Sequence, residues 1–153
     1  MDDQARKVSS TIRLYMGLSA GAGLIPIPLA DLAAITALQL KMLFDIAKIY
    51  DVPFHEARTR AVVSGLIGGM LPQILTEGSA GYIGSLGKFL PIVGPLASLA
   101  AMPGFAAAST YAVGTVFARH FELGGTFDTV DPAKTKADIA KEYRGKKAET
   151  ATA

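Results

Sequence analysis

Cysteine is absent from these 153 residues, so disulfides, zinc–thiolate sites and thiol catalysis are all excluded. Tryptophan is absent too, and there are only two histidines, His55 and His120. Charge is the scarcest resource of all. It makes up 18% of the chain, against roughly a quarter in ordinary soluble proteins. Between Ala61 and Arg119 the charged residues are Glu77 and Lys88 alone, and the run from Phe89 to Ala118 has none. A soluble helix needs a solvated face, and an uncharged run of that length is enough to enter a bilayer. The net charge of +2, with no dense basic cluster, gives no reason to expect nucleic acid. No cofactor or metal is expected.

What is present is small and apolar. Half the residues are hydrophobic, sixteen are glycine, and mean hydropathy is +0.35. Small residues let helix backbones approach closely, which is what packing in lipid favours. The length suits one domain. The acidic start, Met1-Asp2-Asp3, makes a poor signal peptide.

Along the chain, residues 1–13 read as a polar N-terminal helix and 14–125 as an apolar helical domain. Residues 126–147 read as a polar C-terminal helix and 148–153 as a disordered tail. Pro26 and Pro28 break the apolar segment from Leu14 to Ala30, which suggests a half-span, a re-entrant turn or a buried entry to the next helix. From Pro28 or Leu29 to Tyr50 no proline or glycine intervenes. Asp31, Lys41, Asp45 and Lys48 share an arc of roughly 100° there, with Lys41 and Asp45 spaced to pair. A third helix runs from about Phe54 towards Thr76, with Gly65 and Gly69 at the G-x-x-x-G spacing that permits close helix packing. Met102-Pro103-Gly104 divides the longest run, giving either a helical hairpin dipping into the membrane or one helix from about Pro103 to Phe121 after a shorter piece. Gly145 is the expected stop of the last helix.

Pro26-Ile-Pro-Leu-Ala-Asp-Leu-Ala-Ala-Ile-Thr-Ala-Leu-Gln-Leu-Lys-Met-Leu43, followed by Ile49-Tyr50-Asp51-Val52, resembles the bacterial domain of unknown function 697 family. Some members of that family are joined to or associated with GTPase domains. Lys88-Phe89-Leu90-Pro91-Ile92-Val93-Gly94 and Thr110-Tyr111-Ala112-Val113-Gly114 agree with it in order and spacing. The resemblance covers residues 10–147 and implies an all-helical, membrane-associated domain. The chain itself has no G-x-x-x-x-G-K-[ST], so any GTPase would be a separate chain.

The residues offer little catalytic chemistry. His55-Glu56 is not part of H-E-x-x-H, no G-x-S-x-G surrounds Ser79, and both histidines stand at polar ends of apolar segments. The candidate functional polar residues are Asp31, Gln39 and Lys88, and the candidate helix-packing pair is Gly65 and Gly69. Asp31 either binds a cation, proton or basic partner or complements a helix dipole. Gln39 can hydrogen-bond between helices, and Lys88 can snorkel to a membrane surface. The expectation is an all-α, membrane-associated bundle of about five or six helices with glycine- and proline-broken apolar hairpins. It would be non-enzymatic, lie in the bacterial inner membrane with cytoplasmic termini, bind lipid, self-associate, and recruit or respond to a partner such as a GTPase. A transport or pore-forming assembly, and a soluble bundle stable only as an oligomer, are the alternatives.

Overall fold

The computed structural model describes residues 2–25, 30–66 and 93–152; of residues 31, 32, 93–102 and 151 only the backbone is described. These residues form α1 (Asp3–Ala22), α2 (Ala30–Ile49), α3 (residues 56–66), α4 (Val93–Glu122) and α5 (Pro132–Thr152). A single 3₁₀ turn, Phe127–Thr129, precedes α5. No strand occurs among the described residues, which fold as five α-helices. Residues 77–87, Lys88 and Gly69 lie outside the described residues, as do Pro26 and Pro28.

α4 is the central helix, packing against α1, α2 and α5, while α1 also packs on α2. Paired contacts set the directions. Ser19 meets Thr110 on α4, and an added methyl on Gly114 would meet Ile12, so α1 runs antiparallel to α4. Gln39 meets Thr110 and Met42 meets Gly114, so α2 runs parallel to α4. Arg119 pairs with Glu142, and Lys146 lies 5.0 Å over the Tyr111 ring, which makes α5 antiparallel.

The core follows helical spacing. α1 buries Val8, Ile12 and Tyr15; α2 buries Met42, Leu43, Ile46 and Ala47; α3 buries Val63 and Leu66. α4 buries Ala112, Val113, Val116, Phe117 and Phe121 against them, and α5 adds Ile139 and Tyr143. One end is closed by rings: Phe121 to Phe127 at 5.0 Å, Phe54 to Phe127 at 5.6 Å, and Phe117 to Phe127 at 5.8 Å between centroids. Such pairs contribute about 0.5–1.5 kcal/mol each beyond their burial.

Two helices stop by the same device. After α2, Asp51 takes a left-handed φ of 54°, and Val52 N–H donates to Ala47 C=O at 2.9 Å. After α4, Gly124 takes φ 83°, and Gly125 N–H donates to His120 C=O at 2.9 Å. A reversed residue lets the next amides cap the last free carbonyls. Gly125 is confined further, because an added methyl would lie 2.4 Å from the His120 ring.

Three boundaries differ from the sequence reading. α1 does not end with its charged residues at 13 but continues past Gly17 and Gly21 to Ala22. α4 passes through Pro103 without dividing. Proline's fixed φ is itself helical, so it removes one hydrogen bond without ending the helix, and alanines on both sides favour continuation. α5 passes Gly145 and reaches Thr152, where the tail was expected to be disordered. Lys146 pairs with Glu149 at 2.9 Å, and the Thr150 and Thr152 hydroxyls donate back to Lys146 and Ala148 carbonyls, holding the last turns.

Among the described residues, no helix is long and apolar enough to cross a membrane. α4 is free of charge from Val93 to Ala118.

Candidate functional site

α2 is apolar where it crosses α4, except for Gln39. Its amide is 1% exposed, and Nε2 donates to Ser109 Oγ and Thr110 Oγ1, both at 3.2 Å. Each hydroxyl passes its own proton onward: Ser109 to the Ala106 carbonyl at 3.1 Å, and Thr110 to Ser19 Oγ on α1 at 2.9 Å. Both hydroxyls are thereby left as acceptors for the amide, which fixes which end of it faces them. Gln39 Oε1 is then left buried without a partner among the described residues. The cluster ties α1, α2 and α4 at one level through four uncharged side chains. With no titratable member it fixes helix register and moves no proton.

Just beyond this level, at Gly114, α4 lies close against side chains of α1 and α2. A methyl there would come within 2.9 Å of Ile12 Cγ1 and 3.1 Å of Met42 Sδ. The Thr-Tyr-Ala-x-Gly block therefore has a packing role: Thr110 bonds, Ala112 is fully buried, and Gly114 admits its neighbours.

A charged cluster follows on the same seam. Tyr15 O–H donates to Asp45 Oδ2 at 2.6 Å, and Lys41 Nζ reaches Asp45 Oδ1 at 2.6 Å, so the Lys41–Asp45 pairing read from the spacing forms. Burial raises the Tyr15 phenol's pKa well above its usual range, and the neighbouring Asp45 carboxylate adds to the effect. For Asp45 burial works towards a higher value, but the hydrogen bonds from Lys41 and Tyr15 and the Lys41 and Lys48 charges outweigh it and hold the carboxyl low. Lys48 also lies 4.3 Å over the Phe44 ring.

Asp31 falls in the first turn of α2, and its side chain lies outside the described residues. Gly65 is exposed, with open space where a side chain would project; Gly69 and Lys88 are outside the described residues. His55 is exposed before α3 and accepts from Thr59 N–H through its carbonyl. His120 Nε2 contacts the Thr126 carbonyl at 2.9 Å and Thr129 Oγ1 at 3.2 Å, bracing the turn into α5. No group of three His, Cys, Asp or Glu that could hold a metal occurs among the described residues. Tyr15, Ser19, Ser109 and Thr110 were not singled out by sequence reasoning. A hydroxyl in an apolar helix usually bonds its own preceding turn, so only the lone amide at 39 signalled a cross-helix cluster.

No solved structure matches this chain. It is similar to magnetosome membrane protein 22 of Magnetospirillum gryphiswaldense, at 33% identity over 137 residues, covering 90% of this chain and 69% of that protein. The model of the family described as a domain of unknown function, DUF697, matches residues 1–147, and the chain belongs to that family.

Proposed function

We propose that this chain is a non-enzymatic, membrane-associated module that presents its charged end to a partner. The observation carrying this reading is the axial separation of charge. α1 has charged residues at 3, 6, 7 and 13 and none from Leu14 to Ala22. α2 has none from Leu32 to Leu40 and then Lys41, Asp45 and Lys48, while α4 has none from Val93 to Ala118 and then Arg119 and Glu122. Given the helix directions, all three uncharged stretches fall at one end of the bundle, where Asp31 lies in the first turn of α2 and α5 alone is charged throughout. The similar protein from Magnetospirillum carries a membrane protein's name, which supports the same reading.

The charged end would face the cytoplasm of a bacterial cell, at the inner membrane, in keeping with the excess of Arg and Lys near both termini. A GTPase on a separate chain is the partner class this reading favours, with self-association through small-residue faces such as that of Gly65 and Gly69. Gln39 is sealed among hydroxyls, so no observation favours a polar path through the bundle.

Fractionating cells that produce the chain tests the reading. Recovery in the membrane pellet through an alkaline carbonate wash, with a GTPase retained on the solubilised protein, is the expected result. Full release to the supernatant would overturn it.

A further inference from the structure

The outward arc of α1 changes chemistry along its length. At 100° per residue, Asp3, Arg6, Lys7, Ser10 and Arg13 share one side of the helix with Leu14, Gly17, Leu18, Gly21 and Leu24 just past its end. The buried Val8, Ile12, Tyr15 and Ser19 lie opposite. The first five are polar or charged and the second five are not. Leu14, Leu18 and Leu24 are 60%, 47% and 64% exposed, and Gly17 and Gly21 have nothing within 4 Å of where a side chain would project. Asp3 takes up both Arg6 and Lys7, at 3.3 and 2.7 Å. Arg13, at the boundary, is exposed and has no ion pair among the described residues.

A helix lying flat on a bilayer is apolar along one whole side. Here the division is across the axis, which suits a helix entering end-on. Ten residues at about 1.5 Å rise place Leu24 roughly 15 Å beyond Leu14, half of a hydrocarbon core of about 30 Å. That depth is one leaflet. The neighbours largely agree: α4, antiparallel to α1, is uncharged on that side of Gly114, and α2 is uncharged from Leu32 to Leu40, with Asp31 in its first turn beyond. α5 is charged along its length, but it packs on α4 and not on α1.

We propose that the Leu14–Leu24 face of α1 inserts into one leaflet of an anionic phospholipid bilayer, with the Arg13 guanidinium held at the phosphates. This rests on the membrane reading above and names the surface that does the binding. The unpaired cation beside three exposed leucines matches an anionic headgroup over hydrocarbon, and a guanidinium can grip phosphate oxygens in bidentate fashion. A parallel second copy on this face would set Arg13 against Arg13.

The cysteine-free chain allows single labels at Ser10→Cys, Leu18→Cys and Leu24→Cys, each carrying an environment-sensitive fluorophore. With vesicles of phosphatidylcholine and phosphatidylglycerol, labels at 18 and 24 should shift to the blue and be quenched by nitroxides on the acyl chains. The label at 10 should do neither. Leu18→Glu with Leu24→Glu should weaken partitioning by about tenfold or more, with far-ultraviolet circular dichroism unchanged because both sites are exposed. Arg13→Gln should weaken binding to the anionic vesicles and not to pure phosphatidylcholine. Vesicle binding with water-like labels at 18 and 24 overturns the insertion face and leaves the membrane reading standing. A blue shift that grows with protein concentration in the absence of vesicles assigns the face to a second copy and overturns the proposal. Failure to bind any vesicle overturns both.

Discussion

Gln39 and Thr110 share a hydrogen bond, yet losing one should cost far more than losing the other. Thr110→Val strands a buried Gln39 N–H and removes the donor to Ser19, and an unmet buried group costs about 1–3 kcal/mol. Gln39→Leu removes the donor, but it also removes Oε1, which already lacks a partner. Denaturant titration should place Gln39→Leu within about 1 kcal/mol of the parent and Thr110→Val clearly below it. The Tyr15–Asp45–Lys41 cluster gives a prediction in pH. A carboxyl held lower in the folded chain than in the unfolded one adds stability above its unfolded value, and that stability is lost as pH falls through the folded value. Asp45 is such a group, its ordinary value being 3.8. The advantage of the parent over Asp45→Asn should therefore be constant near neutrality, at about 1 kcal/mol given its partial exposure. It should shrink as pH drops below 3.8. An advantage that grows in acid would mean the carboxylate is not held by Lys41 and Tyr15.

α4 meets three other helices and tolerates little change where it crosses two of them. Gly114→Val should cost about 1–3 kcal/mol by overpacking against Ile12 and Met42, measured as a lowered denaturant midpoint. The exposed Gly17, with open space around it, should accept alanine at no loss. Helix existence was legible in the sequence wherever apolar spacing ran unbroken, as in α2. Pro53, which cannot continue a helix, follows its end, and the backbone reverses at Asp51. α1 outlasts its charged residues because charge marks where solvent begins, not where backbone hydrogen bonding ends. Pro103 suggests a division and Gly145 a stop because propensity is local, whereas α4 and α5 gain their stability from packing and from bonds further along. The site was half legible. A lone amide in an apolar helix announced itself, but its hydroxyl partners lie about seventy residues away on α4, and no local pattern reveals such a pairing.

Charge divides three of the helices along their length. Arg13, Lys41, Asp45 and Arg119 bound one end, the ring cluster about Phe127 closes it, and the other ends of α1, α2 and α4 are uncharged apart from Asp31 at the start of α2, while α5 is charged throughout. The buried amide–hydroxyl cluster lies just on the uncharged side of that boundary. Water could not replace its hydrogen bonds within a bilayer, so register there is set by contacts made inside the protein. A bundle of small residues that dips into one leaflet needs an uncharged surface rather than a full-length apolar span. Density-gradient flotation of the purified full-length chain with phosphatidylcholine–phosphatidylglycerol vesicles tests this directly. The account predicts that the protein rises with the vesicles and stays with them when salt is raised, because the hydrocarbon contact is not screened. Protein left at the bottom of the gradient, or released entirely by salt, would contradict it.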